Sequence, residues 1–500
     1  MRIPIDKESE IPIYRQIQQY LAGQIEAGVM ESGTQLPSNR ELAHSLGVSR
    51  IVVESAYAEL ESQGLVYGRH GSGTFVAPFY PSGVGFKRDL VVTDWPLWQQ
   101  ELLSHSWDAG HQELDRLLSQ VKCPGLISFA ERINPDPIWP NEDFRRAFQV
   151  SLRKNEAGTA LGQSNLAGNY PLRVTISQIL ILEGIPVYPE QVMITSGSQQ
   201  ALNLVAQVLL KPGDLVLVES PTYNVAIDLF RSLNVHMLSI PVDEQGMQVG
   251  AIEATLTQKM PKLIYTTPTF QNPTGTCMSS QRRHELVILG NKNNIPILED
   301  DYVGNIRFEG RSEPALKSLD RTGGVIYAGT FSKLLLPSLR IGFLIASGPI
   351  FNRLLAHKYV TDLVTSDLLQ RALREFINIG RYHSHLRRVC QAYRHRRDAM
   401  AEALNTDLPT SRWTLPKGGG YIWLQLPDSL SADELFHYAA QEGVTFVPGS
   451  FFFPGRKHQS YLRLNYAINE PEMIKEGIHR LSMAFKQFKS LKGNGTYGKQ

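Results

Sequence analysis

A lysine flanked by hydroxyls and followed by an arginine is where this 500-residue sequence first offers chemistry. Lys333 lies in Gly329-Thr330-Phe331-Ser332-Lys333-Leu334-Leu335-Leu336-Pro337-Ser338-Leu339-Arg340-Ile341-Gly342, between apolar runs of strand character at residues 325–328 and 341–345. On a turn between two buried strands an ammonium is expected to lose water, and desolvation favours the neutral, nucleophilic amine. Thr330, Ser332 and Arg340 are what a phosphate needs: donors and a fixed planar cation. A lysine beside a phosphate site points to pyridoxal phosphate held as a Schiff base. Taken alone, the stretch fits a lysine on a surface turn equally well.

Other polar groups stand at the ends of apolar runs. Thr195-Ser196-Gly197-Ser198-Gln199-Gln200 passes from a strand into a helix N-terminus, whose free N–H groups suit a phosphate, though an ordinary helix start reads the same way. Tyr223, after Pro221-Thr222, could stack on a planar ring. Asn272, in the tight turn Asn272-Pro273-Thr274-Gly275, could bond a ring hydroxyl. Glu299-Asp300-Asp301-Tyr302 closes another run with carboxylates, one of which beside a pyridine nitrogen would keep it protonated. Tyr302 could donate to a phenolic oxygen, and the fork of Arg463 suits a substrate carboxylate.

These groups need a scaffold that brings strand ends together. From about residue 121 short apolar strands (192–195, 215–218, 263–265, 297–299) alternate with helical segments such as 199–210 and 222–233. That alternation predicts an α/β domain with a mostly parallel sheet, whose ligands gather at the carboxyl ends of the strands.

The first block, residues 10–78, has a different texture. Residues 11–29 repeat apolar positions at three and four, as an amphipathic helix does. Pro37-Ser38 opens a short helix with Ser38 as N-cap and Glu41 three residues on, a capping box. Ser49 caps the next helix and Gly64 closes it, which makes a helix-turn-helix. Residues 65–67 and 74–76 flank Gly68-Arg69-His70-Gly71-Ser72-Gly73, a hairpin with a basic, glycine-rich tip. The block is therefore a winged helix of mixed α+β structure. In a DNA reader Arg50 would enter the major groove, while Arg40, Arg69 and His70 would meet phosphate or the minor groove. A helical protein-interaction module is the alternative. Residues 1–78 hold six Lys and Arg against nine Asp and Glu, so any attraction to DNA must be local.

At this point two resemblances are plain. Leu36-Pro37-Ser38-Asn39-Arg40-Glu41-Leu42-Ala43, Leu46-Gly47-Val48-Ser49-Arg50, Ala56-Tyr57-Ala58-Glu59-Leu60 and Gly71-Ser72-Gly73-Thr74-Phe75-Val76 resemble the winged helix of GntR-family regulators. The resemblance implies DNA contacts from Pro37, Ser38, Arg40, Ser49, Arg50, Arg69, His70 and Gly71. Ile51-Val52 departs from the polar pair usual after the recognition arginine, which could shift the operator sequence. Residues 125–485 resemble fold-type I aminotransferases of class I/II, with a large domain and a small C-terminal subdomain; Gly418-Gly419-Gly420-Tyr421-Ile422-Trp423 looks like the start of the latter. By that resemblance Lys333 is the Schiff-base lysine, Asp300 the ring-nitrogen partner, Tyr302 and Asn272 the phenolic-oxygen partners, and Tyr223 the stacking ring. Gly197, Ser198, Gln199, Thr330, Ser332 and Arg340 make the phosphate cup, and Arg463 the carboxylate clamp.

Both resemblances in one chain point to the MocR-type branch of GntR regulators. That branch implies pyridoxal phosphate, promoter DNA, an amino acid or amine effector, and a head-to-tail homodimer. Before Gly168-Asn169-Tyr170-Pro171-Leu172-Arg173 aminotransferases carry a tyrosine that reaches the partner's phosphate; here Gln163 stands at that spacing, with Leu161 nearby. This favours sensing over fast turnover. An active aminotransferase with a fused DNA-binding domain is the competing class, since the residues for a half-reaction are all present.

Composition sets the remaining bounds. There is no run of 18 or more apolar residues and no apolar signal core at the start, so neither a membrane span nor a secretory peptide is expected. Cys123, Cys277 and Cys390 are scattered, which fits reduced thiols in a cytoplasm and argues against a structural metal. Residues 79–120 read as a connector and 486–500 as a disordered tail. Residues 381–397 are dense in Arg and His; a second DNA-contacting face is one reading, and a solvated helix face with Leu386, Val389 and Tyr393 turned inward is the favoured one.

Overall fold

A computed structural model describes residues 3–6, 9, 11–69, 73–77, 96–97, 99, 110–121, 123–130, 138–153, 165–256, 259–333, 335–427, 430–456 and 460–494. The chain divides into two compact units, 1–106 and 107–500.

In the first unit α1 (Ile13–Glu26), α2 (Asn39–Leu46) and α3 (Arg50–Ser62) pack on the hairpin β1 (Val66–Arg69) and β2 (Gly73–Val76). Their buried stripe is Ile17, Leu21 and Ile25 from α1, Leu42 from α2, and Val53, Ala56, Tyr57 and Leu60 from α3. Ile3 is buried in the same cluster, so this unit begins before the expected residue 10. The capping box forms as read: Ser38 Oγ accepts from Glu41 N at 3.2 Å and Ser38 N donates to Glu41 Oε2 at 2.9 Å. Gly47 ends α2 in the left-handed region (φ 65°), the conformation that turns the chain into α3. Tyr57 Oη donates to Pro37 O at 2.9 Å and so ties α3 to the loop before α2. The wing pairs in antiparallel register from Val66↔Val76 to Arg69↔Gly73.

The second unit starts with α4 (Gly110–Gln120), inside what the sequence reading took as connector. Leu114 of α4 is buried, and Gly110 N donates to Asp228 Oδ1 at 2.9 Å. After it β3 (Ile127–Ser128) pairs in parallel with β14 (Val444–Thr445), and, among the described residues, an eight-stranded sheet follows in the order β4-β11-β10-β9-β8-β5-β6-β7. Its strands are β4 (Val192–Thr195), β5 (Leu215–Ser220), β6 (His236–Asp243), β7 (Gly246–Met247), β8 (Leu263–Thr266), β9 (Ile297–Asp301), β10 (Val325–Thr330) and β11 (Gly342–Ile345). Five consecutive neighbours, β10, β9, β8, β5 and β6, run parallel; β11 is antiparallel to both β10 and β4. The mostly parallel sheet is thus as expected. Both faces are covered: Met193, Val216, Tyr265 and Leu298 pack on one side, Leu217, Ile264 and Ile297 on the other.

A smaller antiparallel sheet orders β12 (Arg412–Trp413), β13 (Tyr421–Gln425), β16 (Tyr461–Asn465) and β15 (Val447–Pro448). Its core includes Ile422, Leu424, Leu462 and Leu464, with Ile474, Ile478 and Leu481 of the helix Pro471–Asn494. That helix corrects the expected disordered tail over residues 486–494; residues 495–500 lie outside the described residues. Phe485 and Phe488 continue its apolar stripe into the core, and Phe488 meets the Tyr438 ring at 5.2 Å, so helix persists well past residue 486. The basic stretch 381–397 opens the helix Arg381–Asp407. Val389 is buried and Leu386 and Tyr393 are half-buried, as read, but His385, Arg396 and Arg397 are buried too. Arg397 is held by Glu309 and Asp398 at 2.8 and 2.6 Å. Part of that basic density is therefore internal ion pairing, not a solvated face.

Candidate functional site

The carboxyl ends of the parallel strands meet around one pocket, lined by Ser198, Tyr223, Thr267, Asn272, Asp300, Tyr302, Lys333 and Tyr421. Six of these are residues the sequence singled out. Lys333 reaches the pocket in a way the sequence did not foresee. Its side chain is exposed, while its neighbours Phe331, Ser332 and Leu335 take the buried positions of the turn.

Asp300 is buried near the end of β9. Tyr265 Oη donates to its Oδ2 at 2.9 Å, while Oδ1 has no hydrogen-bond partner among the described residues. Burial pushes this carboxyl up to about 7, and the Tyr265 hydrogen bond opposes the rise. On the neighbouring turn, Asn272 Oδ1 accepts from Arg463 Nη1 at 2.9 Å, which leaves the Asn272 amide to donate elsewhere. The buried Arg463 guanidinium lies over Tyr421 and Phe452, at 4.2 and 4.9 Å from their ring centroids. Arginine and asparagine thereby fix each other. Tyr302 lines the pocket, but its hydroxyl donates to Phe270 O at 2.8 Å, so the phenolic contact expected of it is not prepared here.

The expected phosphate cup assembles at the helix Ser198–Leu209. Gly197 is its N-cap, in a φ of 100°, with no side-chain cap on the first turn. Those first N–H groups point out of the helix unsatisfied by any cap, which is the arrangement that binds anions. Glycine suits this position because L side chains rarely adopt a φ of 100°, and a Cβ there would also push the end of the Arg340 side chain, 2.9 Å away at Nη2. Arg340 itself donates to Ser196 O at 3.2 Å. Thr330 differs from expectation. Its hydroxyl donates to Ile341 O and accepts from Ser332 N, so it shapes the lysine turn and does not aim its proton into the cup.

Four buried polar atoms around this site, Gln199 Oε1, Thr267 Oγ1, Asp300 Oδ1 and Ser332 Oγ, find no partner among the described residues. Leaving each so costs roughly 1–3 kcal/mol, a cost that a polar ligand offsets. With the uncapped helix end, a carboxylate and a lysine in one cavity, the residues fit pyridoxal phosphate.

In the first unit Arg40, Ser49, Arg50 and Arg69 are exposed and Pro37 half-buried; His70 and Gly71 lie outside the described residues, as do Leu161 and Gln163. Ser49 occupies the N-cap position of α3 but makes no side-chain cap bond. Arg50 Nε donates to Glu54 Oε1 at 2.8 Å, one turn along the same helix. Ile51 beside it is 72% exposed.

The arrangement defines a class: a winged-helix DNA-binding unit joined to a fold-type I, pyridoxal phosphate-binding unit. Family models agree. Residues 13–76 match "Bacterial regulatory proteins, gntR family", and residues 140–481 match "Aminotransferase class I and II". The chain is 34% identical to YisV, an uncharacterized HTH-type transcriptional regulator of Bacillus subtilis (strain 168), over 94% of this chain and 96% of that protein. It is 31% identical to the probable rhizopine catabolism regulatory protein MocR of Rhizobium meliloti, over 97% of this chain and 96% of that protein. Among solved structures, Pyrococcus horikoshii kynurenine aminotransferase superimposes with a TM-score of 0.71 at 37% identity, covering 75% of this chain and 94% of that one. The chain belongs to the MocR-type subfamily of GntR-family transcriptional regulators.

Sequence reasoning missed Thr267, Tyr265 and Glu219. Glu219 is buried at the end of β5 and accepts from Thr266 Oγ1, Thr267 N and Gln271 Nε2 at 2.6, 3.2 and 3.1 Å. Gln271 in turn receives Thr274 N and Oγ1, and so holds the turn that carries Asn272. A signal was present: each is a polar group in or just after a strongly apolar strand run.

Proposed function

We propose that this regulator reads an amino acid or amine through its cofactor pocket and converts that binding into altered occupancy of promoter DNA. The observation that carries the reading is one pocket lined by Lys333, Asp300 and Asn272, the last bonded to Arg463, in a chain that also exposes Arg40 and Arg50 on a helix-turn-helix. Lys333 would hold the cofactor covalently. Gly197, Ser198, Gln199, Ser332 and Arg340 would seat its phosphate, Tyr223 would cover its ring, and Asp300 would face its ring nitrogen. Bound there, pyridoxal phosphate supplies an electrophilic carbon and an electron-withdrawing ring. Arg463 would hold an effector's carboxylate, its charge desolvated between two aromatic rings and its fork oriented by Asn272. The effector acts by binding two arrangements of a homodimer, expected to be head-to-tail, with different affinity. Couplings of this kind are worth roughly 1–3 kcal/mol, about 5- to 150-fold in DNA affinity. Among the described residues no helix is long and apolar enough to cross a membrane, in keeping with work on promoter DNA in the cytoplasm.

A second reading, a turning-over aminotransferase, is favoured by the same completeness of the pocket. One experiment separates them. Cofactor-loaded protein is given a panel of amino acids and amines with 2-oxoglutarate while absorbance and keto-acid product are followed. A spectral change that stops within one half-reaction, with a matching change in DNA affinity, supports the regulator. Multiple turnovers without any effect on DNA binding overturn it.

A further inference from the structure

The lone oxygen of Asp300 has a cause on the adjacent strand. Tyr265 on β8 pairs with Leu298 on β9. Side chains on a strand alternate faces, so Asp300, two residues beyond Leu298, shares that face with Tyr265. The phenol therefore reaches along the sheet and donates to Asp300 Oδ2 at 2.9 Å. Tyr265 is fully buried, and its ring is wedged edge-on against Phe230, with centroids 5.7 Å apart. From the other side, Glu219 grips the next two residues of the chain, through Thr266 Oγ1 and Thr267 N. A phenol fixed at its ring and at its backbone cannot follow a wandering carboxylate; the carboxylate must come to it.

We infer that Tyr265 is a positioning residue for the cofactor's ring nitrogen: by occupying Oδ2 it locks the Asp300 carboxylate and aims Oδ1 at the pocket. This rests on the cofactor reading above and extends it to a residue outside the pocket lining. The chemistry is specific. A buried carboxylate with two unsatisfied oxygens is costly as an anion, and its neutral form cannot pair with a protonated pyridine. The Tyr265 hydrogen bond favours the charged form, as its lowering influence on Asp300 shows. Removing the hydroxyl should therefore weaken only ligands that carry a ring nitrogen.

The test is a cycle between protein and ligand. Dissociation constants are measured for pyridoxal phosphate and for its 1-deaza analogue, in which a C–H replaces the ring nitrogen, with the wild type and Tyr265→Phe. Phenylalanine keeps the packing on Phe230, and thermal melting of the cofactor-free variant reports its folding. Tyr265→Phe is expected to weaken pyridoxal phosphate by roughly tenfold or more and to leave the deaza analogue unchanged. The same substitution on an Asp300→Asn background, where no charge needs support, is expected to add no further loss. Equal losses for both ligands reduce Tyr265 to a packing residue and overturn the inference, as does no loss for either. Failure of the wild type to bind pyridoxal phosphate at all would instead sink the cofactor reading itself, and the inference with it.

Discussion

The two units treat polar groups in opposite ways. In the winged helix the groups that would meet DNA stand in water: Arg40, Arg50 and Arg69 are exposed, and Arg50 pairs with Glu54 on its own helix. In the second unit Asp300, Asn272 and Arg463 are buried and held by protein partners, although Lys333 and Arg340 are exposed. Asp300 is pinned by Tyr265, Asn272 by Arg463, and the Asn272 turn by Gln271 and Glu219. Solvated cations give affinity that salt screens and that tolerates changes in sequence. A desolvated, pre-aimed set gives affinity that depends on exact chemistry and that a single atom can abolish. One chain would therefore meet DNA through solvated, salt-sensitive groups and a small molecule through a desolvated, pre-aimed set.

The largest expected effect tests that division at its sharpest point. Lys333→Ala should abolish the response of DNA binding to any effector, and leave DNA binding itself within about twofold, since the lysine is no part of the winged helix. Gel-shift titrations with and without the amine found in the panel check it. An unchanged response in this variant would show that sensing does not pass through the pocket.

The next prediction concerns pH. Burial raises Asp300 from its ordinary 3.8 to about 7 in the cofactor-free chain. An acid whose folded value lies above its unfolded value adds stability that is fully present below about 4 and is lost as pH rises through about 7. Cofactor-free protein should thus lose stability between those limits, by at most about 4 kcal/mol from this group. Asp300→Asn should flatten that part of the curve, and loading the cofactor should reduce it by stabilising the anion. Denaturant titrations at pH 5 and pH 8 measure the difference. Equal slopes in wild type and variant would mean that Asp300 is solvated after all, and the contrast between the units would lose its strongest member.

How legible this was depended on whether a residue declares itself locally. The capping box at Ser38, the wing, and the strand-end order of Gly197, Tyr223, Asn272, Asp300 and Lys333 are local patterns, each readable from a few neighbours in sequence. What escaped was set by register and by packing at a distance. Tyr265 meets Asp300 only because β8 and β9 pair as they do. Thr330 and Tyr302 have the right side chains in the right order, yet Ile341 and Phe270 carbonyls claim their protons. The tail misread has the same origin: Phe488 looks like one apolar residue in a polar run until the core it enters is known. Likewise, charge density at 381–397 did not reveal that Glu309, Asp398 and Glu470 hold two of its arginines inside.

A smaller effect sharpens the other side of the comparison. Arg50→Ala should weaken DNA binding by about 1–3 kcal/mol and relax sequence preference at one position, whereas Arg69→Ala should weaken all duplexes alike and reduce the salt slope by about 1. Neither should shift the melting temperature much, because an exposed i,i+4 pair contributes little to folding. Fluorescence anisotropy across a salt series separates the two. If both variants lose affinity equally on every sequence, Arg50 is a phosphate contact and base reading lies elsewhere on α3.

The smallest effect lies in two serines that look alike in sequence. Both precede a helix of the helix-turn-helix, but Ser38 closes a capping box while Ser49 makes no side-chain cap bond. Ser38→Ala should cost about 1 kcal/mol of stability in the winged helix. Ser49→Ala should stay within about 0.5 kcal/mol, and its loss should show in DNA affinity instead, because an N-cap hydroxyl that the helix does not use is available to a phosphate at the helix N-terminus. Paired melting and binding curves for the two variants decide it. A stability loss at Ser49 equal to that at Ser38 would return it to a purely structural cap; a binding loss without a stability loss places it on the DNA.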